Sequence, residues 1–176
     1  MKNVSFRAPW GAPLTLMTAA CTLICLCLSL PGLVVAIGSV AALRAIGMSM
    51  MPIWAVWLFV AVPMLTLILS AAFMVRGYVV TDSALIIKRL GWTTLLNLSQ
   101  LNSATVDPDA VGRSVRLFGN GGFFAFAGWF RNKKLGVYHA YATDTKKAVV
   151  LRFADKTVVV TPDDPQKFVA ELTAGH

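Results

Sequence analysis

A chain of 176 residues has the size of one domain, or of a small domain carried on an anchor. Its apolar content of 57% and mean hydropathy of +0.68 exceed the roughly one-half apolar share of an ordinary soluble domain and set that class aside. The formal net charge is +8, yet all eight acidic residues lie at or after Asp82, whereas residues 1–75 carry only Lys2, Arg7 and Arg44. Two environments are implied, the first of them lipid.

No charged side chain lies between Arg7 and Arg44, or between Arg44 and Arg76. A spanning helix needs about 20 apolar residues. The pattern predicts one span over about residues 12–30, ending at Pro31-Gly32, and a second over about 53–75, starting after Pro52 and stopping at Arg76. Trp10, Trp54 and Trp57 fall near the interfaces, where amphipathic rings are favoured. Residues 33–43 are too short to cross alone, and Arg44 at a bilayer centre would cost about 3 kcal/mol. An interfacial or re-entrant helix is therefore expected over 33–51; the alternative is a first helix that kinks at Pro31 and continues to Leu43. Either leaves two crossings.

The apolar stretch is too long for a cleaved signal peptide and lacks a clean small-residue cleavage site, and the lead-in to Thr18-Ala19-Ala20-Cys21 is too short for a lipoprotein box. Cys21, Cys25 and Cys27 lie in the first span with no His or acid nearby and read as packing residues, not metal ligands. Basic residues flank the pair of spans (Lys2 and Arg7 before, Arg76, Lys88 and Arg89 after) against one arginine between, which places both termini in the cytoplasm. Residues 1–76 are then a membrane anchor and 77–176 a cytoplasmic domain; from Arg76 onward thirteen cations stand against eight acids, a net charge of +5.

The pattern changes after Arg76. Gly77-Tyr78-Val79-Val80-Thr81 is β-branched and aromatic, Asp82-Ser83 supplies a turn, and Ala84-Leu85-Ile86-Ile87-Lys88-Arg89 follows as a second strand. Gly91 breaks that run and residues 92–96 read as a third. Val149, Leu151 and Phe153 alternate with Val150, Arg152 and Ala154, and Asp155-Lys156 turns into Thr157-Val158-Val159-Val160-Thr161, a hairpin. Asp163-Asp164-Pro165 then caps a helix carrying Phe168, Val169 and Leu172 on one stripe through about Thr173. Strands closed by one amphipathic helix suggest an open barrel plugged at one end, with an OB-like barrel as the main alternative.

Residues 76–172 resemble the bacterial pleckstrin-homology-like (PH-like) domains of small membrane proteins. The likeness rests on Gly77-Tyr78-Val79-Val80-Thr81, Leu98-Ser99-Gln100-Leu101, Gly119-Asn120-Gly121-Gly122 and Gly128-Trp129-Phe130, followed by Leu135-Gly136, Tyr141-Ala142-Thr143 and Thr161-Pro162-Asp163-Asp164-Pro165. It implies a membrane α-hairpin plus a mostly β domain, a seven-stranded bent sheet or open barrel capped by a C-terminal helix. It also implies binding rather than catalysis, and location at a bacterial inner membrane. The inositide-binding signature of eukaryotic relatives has a partial echo in Lys88 and Arg89; inositide specificity does not follow.

No catalytic constellation stands out, and no cofactor or small-molecule substrate is evident. Of two histidines, His176 ends the chain and His139 lies beside Tyr138 and Tyr141 with only Asp144 close in sequence. A membrane-surface enzyme would need an acid and a nucleophile converging on His139. Gly119-Asn120-Gly121-Gly122 lacks the Lys-Ser/Thr of a phosphate loop and reads as a turn or bulge. Residues 121–134, GGFFAFAGWFRNKK, are more informative. Phe123, Phe124, Phe126, Trp129 and Phe130 are more than one strand face can bury, so they are expected to divide between core and surface, with Arg131, Lys133 and Lys134 beside them. Lys88, Arg89, Phe123, Phe124, Trp129, Phe130, Arg131, Lys133 and Lys134 are the candidate lipid or partner surface. The leading reading is a PH-like module that binds a protein partner or self-assembles at the membrane; the second is binding of anionic lipid. Nucleic acid is a poor fit, since no known binding module is recognisable.

Overall fold

The computed structural model describes residues 3–37 and 53–174. The interfacial or re-entrant helix expected beyond residue 37, with Arg44, Gly38 and Ala42, lies outside the described residues, as do Lys2 and His176.

The chain opens with a short strand, β1 (Asn3–Arg7), ahead of the first helix, α1 (Ala12–Ile37). α1 does not stop at Pro31-Gly32: it runs through Pro31 to Ile37, as the alternative reading expects up to that residue. A proline costs one hydrogen bond and need not end a helix whose flanking residues are uniformly apolar. α2 (Ile53–Ala72) packs along α1 and contains Pro63. The hydroxyls of Ser29 and Thr66 donate back to the carbonyls of Cys25 (2.7 Å) and Val62 (2.8 Å), so these polar groups are satisfied within their own helices. Leu16, Leu23, Ile24, Leu65 and Ile68 face outward. Residues Ala12–Val34 are long and apolar enough to cross a membrane; the comparable stretch of α2, Trp57–Ala72, is shorter.

Two sheets follow. The first is an antiparallel meander in the order β1-β2-β3-β4, with β2 (Val75–Thr81), β3 (Ala84–Arg89) and β4 (Thr93–Asn97). A single turn of 3₁₀ helix over Leu98–Gln100, capped by the Asn97 side chain on the Ser99 N–H (2.9 Å), leads into β5 (Leu101–Val106). The second sheet has the order β5-β9-β10-β8-β7-β6, built from β6 (Val115–Gly121), β7 (Phe126–Asn132), β8 (Gly136–Ala142), β9 (Val149–Phe153) and β10 (Thr157–Val160). β10 runs parallel to β8 and antiparallel to β9. The β domain is thus an open, PH-like pair of sheets with a C-terminal helix, α3 (Pro165–Thr173); among the described residues it has nine strands from Val75 onward rather than seven, and β1 adds a tenth.

Strand alternation builds two cores. Val149, Leu151, Phe153, Val158, Val160 and Tyr141 point between the sheets and meet Phe168 and Leu172 of α3. Val150, Val159, Phe130, Tyr138 and Ala140 point outward and are covered by residues 107–114, with Ala110 fully buried. Asn132 holds that loop by donating to Ala110 O (2.7 Å), and Tyr138 by donating to Ser114 Oγ (2.7 Å). Inside, the buried Tyr78 hydroxyl donates to Tyr141 O (2.6 Å) and accepts from Thr161 N (3.1 Å), tying the two sheets together. Burial pushes its pKa up to about 12.

β1 joins the domain across the helical hairpin. Asn3 to Arg7 pair with Thr81 to Gly77 in unbroken register, and Phe6 is buried edge-on to Phe168 (5.1 Å). Arg7 also accepts at its carbonyl from Asp163 N (3.0 Å), which joins β1 to the cap of α3. Both ends of the hairpin therefore emerge on the same side. Phe6→Ala should cost about 3 kcal/mol of domain stability, although Phe6 precedes both helices in sequence. Denaturant unfolding of the full chain checks this; a change within error would show that β1 is dispensable.

Candidate functional site

The end of β3 is held against the end of α2. Leu90 N donates to Met74 O (3.1 Å), Gly91 N to Ala72 O (3.3 Å), and the rings of Phe73 and Trp92 meet edge-on at 4.8 Å. Arg89, the last residue of β3, is half-buried there. Its guanidinium lies 4.6 Å from the Tyr141 ring and 5.3 Å from that of Trp92, contacts in which a desolvated cation is stabilised by the ring faces. Its Nε is buried without a hydrogen-bond partner.

Across from it, β7 and β8 place Trp129 and His139 directly opposite each other. The His139 ring lies between Trp129 (4.7 Å) and Tyr141 (4.4 Å). Thr94, Leu95, Leu96, Lys156 and Val158 complete a cleft of about 240 Å³ with Trp129, His139 and Tyr141. Lys156 reaches Asp155 at 3.5 Å, both substantially exposed. Burial first, then the positive charges of Arg89 and Lys156, push the His139 pKa from 6.5 down to about 4. The charges acting on this imidazole are both cationic, so it stands neutral. Burial raises the Tyr141 hydroxyl, with Arg89 pulling against it. The cleft is lined by an ammonium, a neutral imidazole and aromatic rings, and the guanidinium of Arg89 stands beside it, over the Tyr141 ring.

The residues singled out from sequence do not form one surface. Trp129 lines the cleft and Arg89 stands beside it, joined to Trp129 through the Tyr141 and His139 rings, while Lys88 is exposed on β3. Phe130 points the opposite way from Trp129, into the outer core. Phe123 and Phe124 lie in the turn before β7, and Arg131, Lys133 and Lys134 at its far end. The seven residues of β7 separate the two groups by about 20 Å at 3.4 Å per residue. Lys134 is paired with Asp107 at 2.5 Å. Phe124 sits at left-handed φ 66°, a conformation costing on the order of 1 kcal/mol. It is held by Thr18 of α1, whose hydroxyl accepts from its N–H (3.0 Å), and by an edge contact with Trp10 (6.1 Å). Lys156, Thr94 and Tyr141 were not singled out as site residues, because only the docking of β4 onto β8 and β10 brings them near Arg89.

Residues 76–175, more than half of the chain, match the bacterial PH domain. The chain belongs to that family. No curated protein and no solved structure matches it. PH domains are in general binding modules without catalysis, and this PH domain carries its cleft between the two sheets. The match begins at β2, so β1, which completes the first sheet, comes from outside the matched segment.

His139 gives the PH domain a pH dependence of definite sign. Between pH 6.5 and about 4 the unfolded chain binds a proton that the folded chain refuses. Stability attributable to this group is therefore intact above 6.5 and is lost as pH falls toward 4. Denaturant midpoints measured across that window should fall in the wild type and fall less in His139→Gln; parallel curves would show that His139 is not held neutral.

Proposed function

We propose that this protein is a membrane-anchored PH-domain binding module whose cleft beside Arg89 receives an anionic lipid headgroup. On this reading α1 and α2 cross a bacterial inner membrane twice, with both ends and the basic PH domain on the cytoplasmic side. The observation that carries the reading is the position of Arg89. Backbone hydrogen bonds from the residues that follow it to the end of α2 put the cleft where a spanning helix would leave the bilayer. A guanidinium fork matches two oxygens of a phosphodiester, Lys156 adds a point charge, and neutral His139 can donate one hydrogen bond. Trp92 and Trp129 are the ring types favoured at a headgroup layer. The cations at this site are Arg89 and Lys156 rather than Arg131, Lys133 and Lys134, which lie at the other end of β7 from the turn that touches α1.

A protein partner or a second copy has separate support. β6 is the open edge of the six-stranded sheet, with Val115 and Leu117 exposed along it, and such edges can pair with another chain.

Native mass spectrometry of the full chain, extracted from vesicles containing phosphatidylcholine and phosphatidylglycerol, tests the lipid reading. Phosphatidylglycerol should be retained selectively, and Arg89→Gln should reduce its retention about tenfold, the equivalent of about 1.4 kcal/mol. Equal retention of both lipids, unchanged in the variant, would remove the headgroup site and leave the edge of β6 as the place to seek a partner.

A further inference from the structure

We propose that the tip of the β6–β7 hairpin, residues 117–124, is sunk into the interfacial layer of the bilayer beside α1 and α2. The inference rests on the reading of those helices as membrane-crossing and adds a third, non-helical element to the membrane contact. From Leu117 to Phe130 the hairpin carries no charged side chain, and Arg116 and Arg131 bracket it from neighbouring rungs of the ladder. Arg131 stays at the far end of this apolar stretch, while the Arg116 side chain folds back along the hairpin to Gly121 and sets one guanidinium beside the apolar tip, an arrangement suited to the headgroup layer. Phe118 is 77% exposed, comparable with the outward-facing Leu16 (72%) and Ile68 (65%) of the two helices.

The tip is fixed at the depth of the helices. Phe124 hydrogen-bonds Thr18, and Gly122 lies against the sulfur of Met17. Thr18 stands six residues into α1, about 9 Å along its axis from Ala12. On the other side, Arg116, Phe118, Asn120 and Phe123 face Leu69, Ser70 and Phe73 of α2 across a cleft of about 420 Å³. The tip thus meets α1 at Gly122 and Phe124 and α2 across the cleft that Phe118 lines.

The turn is also prepared for a medium poor in water, where unpaired backbone groups are costly. Asn120 closes on Phe123 from both sides, its Oδ1 accepting from Phe123 N (3.0 Å) and its Nδ2 donating to Phe123 O. Gly122 N donates to Ala125 O (3.1 Å), and Phe124 N to Thr18. The outer edge of β6 keeps unpaired groups, which suits the hydrated interfacial layer rather than the hydrocarbon centre.

A nitroxide placed singly at Phe118, Leu65 and Lys133 of the full chain, with Cys21, Cys25 and Cys27 replaced by serine, tests the proposal. The protein is reconstituted in vesicles of phosphatidylethanolamine with a minority of phosphatidylglycerol, and collisions with oxygen and with a water-soluble nickel complex are measured. The expected result is loss of nickel collisions with oxygen collisions retained at both Phe118 and Leu65, and nickel access at Lys133. Nickel access at Phe118 with Leu65 protected overturns the tip insertion and leaves the spanning helices in place. Shielding of Phe118 from both reagents also overturns it, and assigns the tip to a protein contact. Nickel access at Leu65 removes the spanning reading itself, and the insertion with it.

Discussion

The structure depends on the pairing of β1 with β2. Five residues that precede the first helix add a strand to a sheet otherwise built from residues beyond the second, so the two ends of the α1–α2 hairpin are held side by side by a backbone ladder. A hairpin pinned in this way has both feet on one side, and any crossing it makes is made an even number of times. The same pairing brings the first turns of α1 against the second sheet, where Gly11 donates to Thr143 O and Thr18 receives Phe124. The last turn of α2 is brought against the bend between β3 and β4. Helices and PH domain are joined along a surface rather than by a linker.

From that junction the six-stranded sheet extends further than the four-stranded sheet can cover. Where the two overlap, inward residues bury against α3; on the outer face, residues 107–114 close a second, smaller core. Phe118, Trp129 and His139 occupy facing positions on successive strands: Trp129 and His139 line the cleft against β4, and Phe118 lies farther out, across from α2. Gly119 and Gly128 face each other on the adjacent rung, both at positive φ, and a Cβ on either would collide with the opposite backbone. Their close approach falls where the hairpin passes alongside α1 and α2.

The cleft is electrostatically one-sided. Arg89 and Lys156 act on a neutral imidazole among aromatic walls, and the cost of holding a half-buried guanidinium is offset only in part by its ring contacts. An anion entering would relieve that imbalance. The cleft thus stands beside the end of α2, and the hairpin tip lies farther along the two helices.

Much of this was legible in the chain itself, because it is carried by local patterns. Charge-free runs mark the helices, period-two alternation marks β9 and β10, and Asp164-Pro165 with Phe168 and Leu172 marks the capped final helix. Each is specified by residues within a few positions of one another. The division of the aromatic block, Phe130 into the outer core and Trp129 toward the cleft, also follows from alternation once β7 is placed. The sequence alone could not decide that Asn3–Arg7 is a strand of the distant domain, since a five-residue edge strand has no periodicity of its own and is stabilised by its partner. Nor could it decide that α1 runs through Pro31, which depends on the surroundings of the proline. The meeting of Arg89 with Tyr141, and through it with His139 and Lys156, belongs to the docking of two sheets. It is a long-range packing event, and local sequence carries no record of it.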